Sequence, residues 1–598
     1  MIDISTSLSL QEVSLQGIFN AHQVTWSLTN KEIIKSLKLT ASLLELYGEN
    51  QFKVRSYNTA VYNLERVEED LTKLDLSQLN ELPGVGKSIA KIIDELNRTD
   101  SNDVLNNLLK QTPEGIMGLM GIKGLGARKI KTAWDELGIE SPSAMLQAAQ
   151  QGQLAALPGF GDKTQDRVLQ MIKYHLDTQK KVHYKVAHLA GEWLESLIKK
   201  QFSNPMLSRS GEFRRKTEVV EDLEYLWASN RPWEPEEFLD NTEGLEKDPK
   251  RSGPLRWVGT ITAENLPLDI RFCDEDSFGS HLLRHTGSQE HLKLTNKEGR
   301  SLWDTSLATA AREEDIYKSH GWPFLPPELR EGLFEDSYIK LTKTPDLVTM
   351  GQLKGILHNH STYSDGKHSL KDMAQQCKSL GYQYLGISDH SQTAVYANGL
   401  DEDQVRAQHQ EIEAINKEMV PFKVFKGIES DILNDGGLDY SVEVLQNFDF
   451  VVASIHSNLN MDRKKATERL ITAVENPFTT MLGHPTGRQL LKREGYPIDH
   501  QKVIDACAHH GVIIEINAHP WRLDLAWEWV HYALSKGVII SINPDAHDKA
   551  GLEDMYYGLC VGRKAGLTAD MTFNAKDVEE VTRYFQHRKA RAISKSLV

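Results

Sequence analysis

The chain has 598 residues, of which 40% are hydrophobic and 26% charged, and its formal net charge is −15. One hydrophobic core rarely serves so long a chain, so several domains are expected, and the composition is that of an ordinary globular protein. The negative charge argues weakly against nucleic acid binding, but net charge averages over domains whereas binding depends on local patches.

Cysteine spacing and hydropathy indicate the cellular compartment of the protein. The cysteines lie far apart without a CxxC pair: Cys273, Cys377, Cys507 and Cys560. This spacing argues against a disulfide framework and against a thiolate zinc site. No basic n-region opens the chain, and no apolar run approaches the length of a membrane span. We expect a cytoplasmic protein with no membrane segment.

Three glycine-containing turns recur in the first third of the chain: LPGVGKSIAKI at 82–92, MGIKGLGARKI at 120–130 and LPGFGDKTQDRV at 157–168. Each precedes a helical pattern. Without Cβ atoms the backbone can approach a phosphate, and the next helix offers free N–H groups at its positive end. The turns resemble helix-hairpin-helix motifs, which bind the DNA backbone without reading sequence. The candidate DNA-binding residues are Gly84, Gly86, Lys87, Lys91, Lys123, Gly124, Gly126, Arg128, Lys129, Gly159, Gly161 and Lys163.

Three carboxylates are expected to converge in the middle of the chain. Asp222 and Glu224 alternate along a predicted strand, so both face the same side of it, and Asp269 can join them from a neighbouring strand. Three convergent carboxylates are what a two-metal nucleotidyl-transfer site requires, with Mg²⁺ or Mn²⁺ as the ions. The two carboxylates of a lone D-x-E pattern in a strand more often lie on a solvent-exposed face of the sheet.

From about residue 351 short apolar runs alternate with helical patterns, which predicts βα units and a parallel sheet. The seven runs are KGILHNH, YLGISDH, VFKGIES, FVVASIH, TTMLGHP, VIIEINAH and VIISINPDAH. Nearly every run ends in histidine or a carboxylate. In a parallel barrel the loops after the strands form one rim, where such side chains meet. The candidate ligands are His358, His360, Asp365, His390, Glu429, His456, His484, Asp545 and His547.

Imidazole and carboxylate together suit zinc, manganese or iron, and nine ligands are too many for one ion. Two or three metals fit better. Clustered dications suit phosphoester hydrolysis, because one can activate water while others neutralise phosphate oxygens. A single histidine at a strand end is usually structural, but scattered core histidines would not follow successive strand ends.

These motifs, in this order, resemble the PHP (polymerase and histidinol phosphatase) domain. The resemblance implies a distorted seven-stranded barrel with three metals, Mn²⁺ or else Zn²⁺ or Fe²⁺. It assigns His358, His360, Glu429 and Asp545 to one metal, Glu429, His456 and His484 to a second, and Asp365, His390 and His547 to a third. Glu429 would bridge two ions, and Glu429, His360 and Asp545 would be central to catalysis.

Taken together, the segments resemble the family X DNA polymerases of the bacterial PolX type, over roughly residues 28–598. The resemblance implies a multidomain protein: an all-α helix-hairpin-helix region, an α+β nucleotidyltransferase palm and thumb, and an α/β barrel. The expected boundaries are an extension at 1–27, a DNA-end-binding domain at 28–100, fingers at 101–182, palm and thumb at 183–325, a linker at 326–350 and the PHP domain at 351–598. It also implies nucleotide binding by Gly211, Arg214, Arg215, Thr286, Gly287 and Ser288.

The palm departs from the family pattern. Glu212 stands where the family has a serine, Glu224 where it has an aspartate, and Arg284 and His285 where an aromatic pair precedes Thr-Gly-Ser. In the end-binding domain Ile92 occupies the position of the Schiff-base lysine, with Lys91 one place away. Weak or lost polymerase and lyase activities are therefore expected.

The leading hypothesis is a DNA repair enzyme, expected to be a monomer, whose PHP domain hydrolyses phosphodiesters at 3′ ends of gapped or nicked DNA. Related actions are 3′-phosphatase and abasic-site endonuclease. The alternatives are a gap-filling polymerase that proofreads with its PHP domain, a DNA-binding scaffold that recruits repair partners, and a small-molecule phosphatase such as a histidinol phosphatase.

Overall fold

A computed structural model describes residues 29–65, 67, 69–99, 101–122 and 125–596. These residues form two compact units, divided between Asp177 and Thr178. The expected extension at 1–27 lies outside the described residues, as do Lys123 and Gly124.

The first unit is built from helices, as expected. They are α1 Asn30–Leu46, α2 Gln51–Leu64, α3 Leu76–Glu81, α4 Lys87–Thr99, α5 Asp103–Gln111, α6 Glu114–Met120, α7 Ala127–Leu137, α8 Pro142–Gln150 and α9 Asp162–Thr178. Thr29 begins α1 with a capping box, accepting from the Glu32 N–H while Glu32 accepts from the Thr29 N–H. Each of the longer helices turns an apolar stripe inward, and one core runs from Ile33 to Ile172.

The second unit begins with an α+β region around a five-stranded sheet. The strands of this α+β region, including two outside the five-stranded sheet, are β1 Val182–His183, β2 Met206–Arg209, β3 Val219–Val220, β4 Leu223–Ala228, β5 Leu245–Lys247, β6 Arg256–Ile261 and β7 Leu266–Cys273. The five-stranded sheet has the order β2-β4-β7-β6-β5, and β1 pairs with β3 apart from it. β4 and β7 are parallel, with Glu224 opposite Asp269, and the other pairs are antiparallel.

Helices cover this sheet and lead towards the barrel. They are α10 Tyr184–Gln201, α11 Gly211–Arg215, α12 Trp233–Asp240, α13 Phe278–Thr286, α14 Gln289–Lys293, α15 Leu302–Thr305 and α16 Glu313–His320. The four cysteines of the chain are free and buried. Among the residues described, no helix is both long and apolar enough to cross a membrane.

The rest of the second unit is a seven-stranded parallel sheet, confirming the α/β expectation. Its strands are β8 Gly355–Ile356, β9 Tyr384–Ile387, β10 Lys423–Asp431, β11 Phe450–Ser454, β12 Met481–Leu482, β13 Ile513–Asn517 and β14 Ile540–Asn543. They pair in chain order, and a bridge between Asn359 and Ala546 joins the segments that follow the two edge strands. The sheet is thereby nearly closed into a barrel, whose strands are buried on both faces and so read as continuous apolar runs.

Helices alternate with these strands and surround them. They are α17 Leu370–Ser379, α18 Glu402–Glu418, α19 Val442–Leu445, α20 Arg463–Glu475, α21 His500–His510, α22 Trp527–Ser535, α23 Met555–Lys564 and α24 Val578–Ser596. The carboxyl ends of all seven strands therefore meet at one rim.

The segment 326–350 packs against the barrel. Arg330 is fully buried, and Glu328 and Glu335 are nearly so. Arg563 in α23 donates from Nε to Glu328 at 2.8 Å, and the neighbouring Lys564 pairs with Glu331. Buried ion pairs of this kind require both partners, since removing one leaves an unpaired charge.

Candidate metal centre

The nine candidate ligands gather at the rim of the barrel. His358 and His360 follow β8, His390 follows β9, Glu429 lies within β10, and the others follow β11, β12 and β14 except Asp365, which stands in the loop after β8. Their ligand atoms form overlapping groups, within each of which all atoms lie within 4.8 Å. The groups are His360, Asp365, His390 and His547; His358, His360 and Asp545; His358, Glu429 and His484; and His390, Glu429 and His456.

Glu429 is the central carboxylate of the cluster. Its Oε1 lies 2.9 Å from His484 Nε2 and 3.2 Å from Nε2 of both His358 and His456, while Oε2 lies 3.1 Å from His390 Nδ1. A carboxylate whose two oxygens face different imidazoles can bridge two cations. The geometry therefore suits the bridging position.

The second carboxylate group lies on the β14 side. Asp545 Oδ1 accepts from His360 Nε2 at 3.0 Å. Asp365 Oδ1 is 3.4 Å from His547 Nε2 and 3.7 Å from His390 Nε2. Asp365 and His547 are partly exposed, which places this edge of the cluster nearest to solvent.

Several buried nitrogens and oxygens in the cluster lack a hydrogen-bond partner of suitable geometry among the described residues. They are His358 Nε2, His360 Nδ1, His390 Nδ1, His484 Nδ1 and Glu429 Oε2. Buried polar atoms are rarely left unsatisfied, because desolvation without a partner is costly. Imidazole and carboxylate donors at these separations fit divalent zinc, manganese or iron.

Three of the ligands have left-handed backbone conformations. The φ angles are 64° at His358, 21° at His484 and 52° at Asp545. This region is uncommon for residues other than glycine, and it costs on the order of 1–3 kcal/mol for each residue that adopts it. Residues with such backbone conformations gather at functional sites. The barrel holds these three side chains in position against that cost.

The carboxylates and imidazoles shift one another's pKa values. Burial raises the pKa of Glu429, but the surrounding His456, His358 and His390 outweigh it and hold that pKa well below its usual range. Burial lowers the pKa of His456, but Glu429 and a hydrogen bond to Asp431 raise it to about 10. The cluster thus keeps its carboxylates ionised, which is the state that binds cations.

Buried residues that the sequence interpretation missed hold the ligands in place. Glu515 accepts from His358 Nδ1 at 2.6 Å through Oε2 and from the His484 N–H at 3.0 Å through Oε1. Asp431 accepts from His456 Nδ1 at 2.6 Å. A hydrogen bond to the second ring nitrogen fixes the orientation and tautomer of a ligating histidine. The available signal was a carboxylate within or next to an apolar run: Glu515 lies within VIIEINAH, and Asp431 directly follows VFKGIES.

One cation also reaches the cluster. Arg522, in the loop after β13, lies with its guanidinium 3.8 Å from Asp545 Oδ2. A guanidinium at this position can pair with an anionic substrate as well as with the aspartate. Arg522 could not be predicted from the sequence, because arginine in a loop is common.

The palm carboxylates also converge. Burial and the nearby Asp269 raise the pKa of Asp222 to about 6, and burial and Asp222 raise that of Glu224 to about 7. Asp269, however, accepts from Arg256 Nε at 2.9 Å and lies 3.4 Å from Arg271. The Glu224 carboxylate lies against Gly211, where a Cβ would stand 1.4 Å from Oε2.

The candidate nucleotide-binding arginines are engaged by carboxylates within the protein. Arg214 forms a bidentate pair with Glu313, at 2.9 and 2.7 Å. Arg215 donates from Nε to Glu331 at 2.9 Å and from Nη1 to the Thr286 carbonyl at 2.8 Å. The Ser288 hydroxyl is likewise engaged, because it caps α14 by accepting from the His291 N–H, and Gly287 packs against the same histidine.

Four of the described hairpin glycines in the first unit leave the backbone open. A Cβ at Gly86, Gly126, Gly159 or Gly161 would meet no described atom within 4 Å. Gly159 and Gly161 require glycine for another reason, because their φ angles are 80° and 82°. Gly126 begins α7, and no described side chain caps it, so this helix N-terminus can receive an anion.

The basic residues of the hairpins are mostly exposed. Lys87, Lys91, Arg128 and Lys163 are exposed, and Arg128 also lies 3.3 Å from Glu45. Lys129 Nζ lies 5.9 Å from the centre of the Phe160 ring, so the second and third hairpins touch. Gly84 is packed, because a Cβ there would stand 2.3 Å from Asn63 Nδ2. Ile92 is buried in α4.

Comparison with known proteins agrees with this architecture. Family models match at residues 28–102 (helix-hairpin-helix domain), 116–173 (SAM-like helix-hairpin-helix tandem) and 357–519 (PHP domain). The DNA polymerase/3′-5′ exonuclease PolX of Bacillus subtilis is 34% identical over 571 residues, covering 93% of this chain and 99% of the relative. The chain belongs to the PolX family.

Other relatives of this PolX-family chain match the barrel alone. A probable phosphatase of Thermoanaerobacter is 27% identical over 244 residues, covering 39% of the chain and 94% of the relative. A probable phosphatase of Acetivibrio thermocellus is 26% identical over 246 residues, covering 39% and 95%. The barrel therefore occurs both within PolX and as a separate protein.

Proposed function

We propose that this PolX-family enzyme is a manganese-dependent 3′-5′ exonuclease of DNA repair, which hydrolyses phosphodiesters in the PHP barrel. The observation that supports this most strongly is the cluster of nine imidazole and carboxylate ligands around Glu429. The Bacillus relative carries both the polymerase and the exonuclease in its name and matches nearly the whole chain.

The clustered imidazoles and carboxylates support a site for more than one ion, and we propose that it holds three. By the resemblance to PHP domains, His358, His360, Glu429 and Asp545 would hold one, Glu429, His456 and His484 a second, and Asp365, His390 and His547 a third. The ligand-atom groups of the structure differ in detail, because Glu429 groups with His358 and His484 and, separately, with His390 and His456. When bound, such ions lower the pKa of water and neutralise charge on the phosphate. Mn²⁺ or Mg²⁺ in the palm would require Asp222 and Glu224, since Asp269 is paired with Arg256.

The residues around the ligands have distinct tasks in this proposal. Glu515 and Asp431 orient the imidazoles of His358 and His456. Arg522 places a positive charge beside Asp545, where it can pair with a non-bridging phosphate oxygen. Glu429 and Asp545 are already ionised, whereas the imidazole of His456, whose pKa the carboxylates raise, must lose a proton before it binds a cation.

DNA is the substrate that the first unit favours. Its hairpins present glycine backbone, a free helix N-terminus and exposed lysines, which together suit phosphates. We propose gapped or nicked duplexes with 3′ ends as the preferred form, and a monomer as the active species. The free, buried cysteines fit a reducing cytoplasm.

Two observations favour other functions for parts of the chain. Glu224 lies opposite Asp269 on neighbouring parallel strands, and Asp222 precedes Glu224 by two residues, which supports gap filling with PHP proofreading as the second candidate. The probable phosphatases match the barrel, which supports hydrolysis of phosphomonoesters, either at DNA 3′ ends or on small molecules such as histidinol phosphate.

One experiment separates these functions. A gapped duplex with a labelled primer is incubated with the protein and Mn²⁺, with and without deoxynucleotides, beside histidinol phosphate as a small substrate. Shortening of the primer in both conditions supports the exonuclease, and lengthening with nucleotides supports the polymerase. Turnover of histidinol phosphate with an unchanged primer would overturn the proposal.

A further inference from the structure

An exposed aromatic side chain stands beside the metal cluster and has no task in the proposed hydrolysis. Tyr396 is 67% exposed, and the preceding Val395 is 80% exposed. The Tyr396 ring lies 6.0 Å from the ring of His390 and 6.3 Å from that of His456, measured between centroids. The ring is therefore accessible to a substrate bound at the cluster.

The loop that carries Tyr396 is anchored at both ends. Ser391 and Leu400 pair as a bridge, and the Leu400 N–H donates to the His390 carbonyl at 2.8 Å. At Gly399 a Cβ would stand 1.8 Å from the Ser391 carbonyl oxygen, so the two arms touch. The loop begins immediately after the ligand His390, and Tyr396 is therefore held in place relative to the cluster.

Side contacts hold the rest of the loop. The Thr393 N–H donates to Asp439 Oδ2 at 2.8 Å, and Tyr440 Oη donates to the Leu400 carbonyl at 2.5 Å. Ala394 and Ala397, on either side of the tip, are fully buried. These contacts pin the loop on both sides of Tyr396 while its ring stays exposed, which is the arrangement of a supported platform.

The position of Tyr396 selects what it can bind. A substrate phosphate at the cluster carries its sugar and base within a few ångströms, and bases stack on aromatic rings in a manner that tolerates any sequence. Resting on the proposed exonuclease function, we propose that Tyr396 is a stacking platform for the terminal nucleobase of the strand being cleaved. Stacking of this kind changes affinity by roughly 5- to 150-fold.

Two oligonucleotides test this subsite. One ends in an ordinary 3′ nucleotide and the other in an abasic tetrahydrofuran residue at the same position. Wild-type protein should show a higher kcat/KM for the base-containing end, by roughly tenfold or more. In Tyr396→Ala that ratio should fall towards one, and in Tyr396→Phe, which keeps the ring, it should be largely retained. Trp303→Ala, at an exposed aromatic outside the barrel, should keep the full ratio.

A binding measurement separates failure of the subsite from failure of the exonuclease. An oligonucleotide ending in 2-aminopurine is bound in Ca²⁺, and its fluorescence should be quenched by wild-type protein and Tyr396→Phe but not by Tyr396→Ala. Quenching that depends on Tyr396 without any cleavage in Mn²⁺ would overturn the exonuclease and keep the subsite. If Tyr396→Ala cleaves DNA with the wild-type base-to-abasic ratio, the subsite alone is overturned. This holds even if the rates on both ends fall, provided that they fall equally.

Discussion

At the scale of single residues, the metal cluster depends on how each side chain is held as well as on which side chain it is. Glu429 faces four imidazoles, and Glu515 faces one ligand side chain and the backbone of another. The first has a direct role in binding a cation, and the second acts through its neighbours. The two residues should therefore respond differently to the same substitution.

Replacement of the central carboxylate should abolish hydrolysis. Glu429→Gln keeps the shape but removes the charge that faces His358, His390, His456 and His484, so at least one ion should be lost. We expect cleavage of a 3′-labelled duplex to fall at least a hundredfold in Mn²⁺, with DNA affinity nearly unchanged. Glu443→Gln, at an exposed glutamate of α19, is the matched control. Activity above about a tenth of wild type would count against the bridging role.

Replacement of Glu515 should weaken metal binding without removing a ligand. Both carboxylate oxygens of Glu515 accept hydrogen bonds. In Glu515→Gln an N–H₂ group replaces one of these oxygens, and it would then face a hydrogen-bond donor. Loss of such a supporting contact typically costs 10- to 100-fold in metal affinity. The measurements are bound manganese by elemental analysis and the rise in melting temperature on Mn²⁺ titration. Glu475→Gln, at an exposed glutamate of α20, should behave as wild type, and an unchanged Mn²⁺ titration in Glu515→Gln would refute the supporting role.

At the scale of elements, the strand ends could be predicted and their connections could not. Each apolar run reads as a buried strand, and the polar residue that ends it must lie at the rim because parallel strands share one carboxyl edge. The position of Tyr396 was not predictable, because it depends on a loop closed by contacts to Asp439 and Tyr440. Likewise nothing local in the sequence pairs Arg256 with Asp269, which are neighbours only once β6 and β7 form.

The hairpins should bind DNA through phosphates and without sequence preference. Lys129→Ala combined with Lys163→Ala removes two cations beside the second and third turns, which lie in contact. Each lost phosphate contact reduces the slope of log K against log salt by about 1, so the slope should fall by about 2. Affinity should weaken to a similar extent on unrelated sequences, as measured by fluorescence anisotropy.

The control for the hairpins is a pair of lysines elsewhere. Lys464→Ala with Lys502→Ala changes the net charge equally at exposed positions of the barrel helices. This pair should leave the salt slope close to wild type. An equal change in both double variants would mean that overall charge, rather than the hairpins, determines DNA affinity.

At the scale of the whole molecule, palm and barrel belong to one compact unit. Glu331 pairs with both Arg215 of the palm and Lys564 of the barrel, and Glu218 pairs with Arg488, close to the ligand His484. These partners lie more than a hundred residues apart in sequence, so the sequence pattern could not reveal them. The palm segment that resembles a nucleotide-binding turn is thereby part of the support of the barrel.

Because the internal ion pairs occupy Arg214, Arg215 and Asp269, we predict weak or absent DNA synthesis. Glu212 offers no hydroxyl to a triphosphate, and two like charges about 4 Å apart repel by roughly 1 to 4 kcal/mol. Arg214 and Arg215, which could offset that repulsion, are held by Glu313 and Glu331. Asp269 is held by Arg256. A nucleotide would have to displace several internal ion pairs before it could bind.

The measurement is primer extension on a one-nucleotide gap in a Glu429→Ala background, so that degradation cannot conceal synthesis. We expect little product at micromolar nucleotide, because an error near 1 Å in the position of a catalytic carboxylate costs on the order of a hundredfold, and Glu224 is one methylene longer than aspartate. Adding Asp222→Asn supplies the control, since true palm catalysis requires that carboxylate. Robust extension that disappears in Asp222→Asn would show that the ion pairs open on nucleotide binding, and would make the proofreading polymerase the better description of this enzyme.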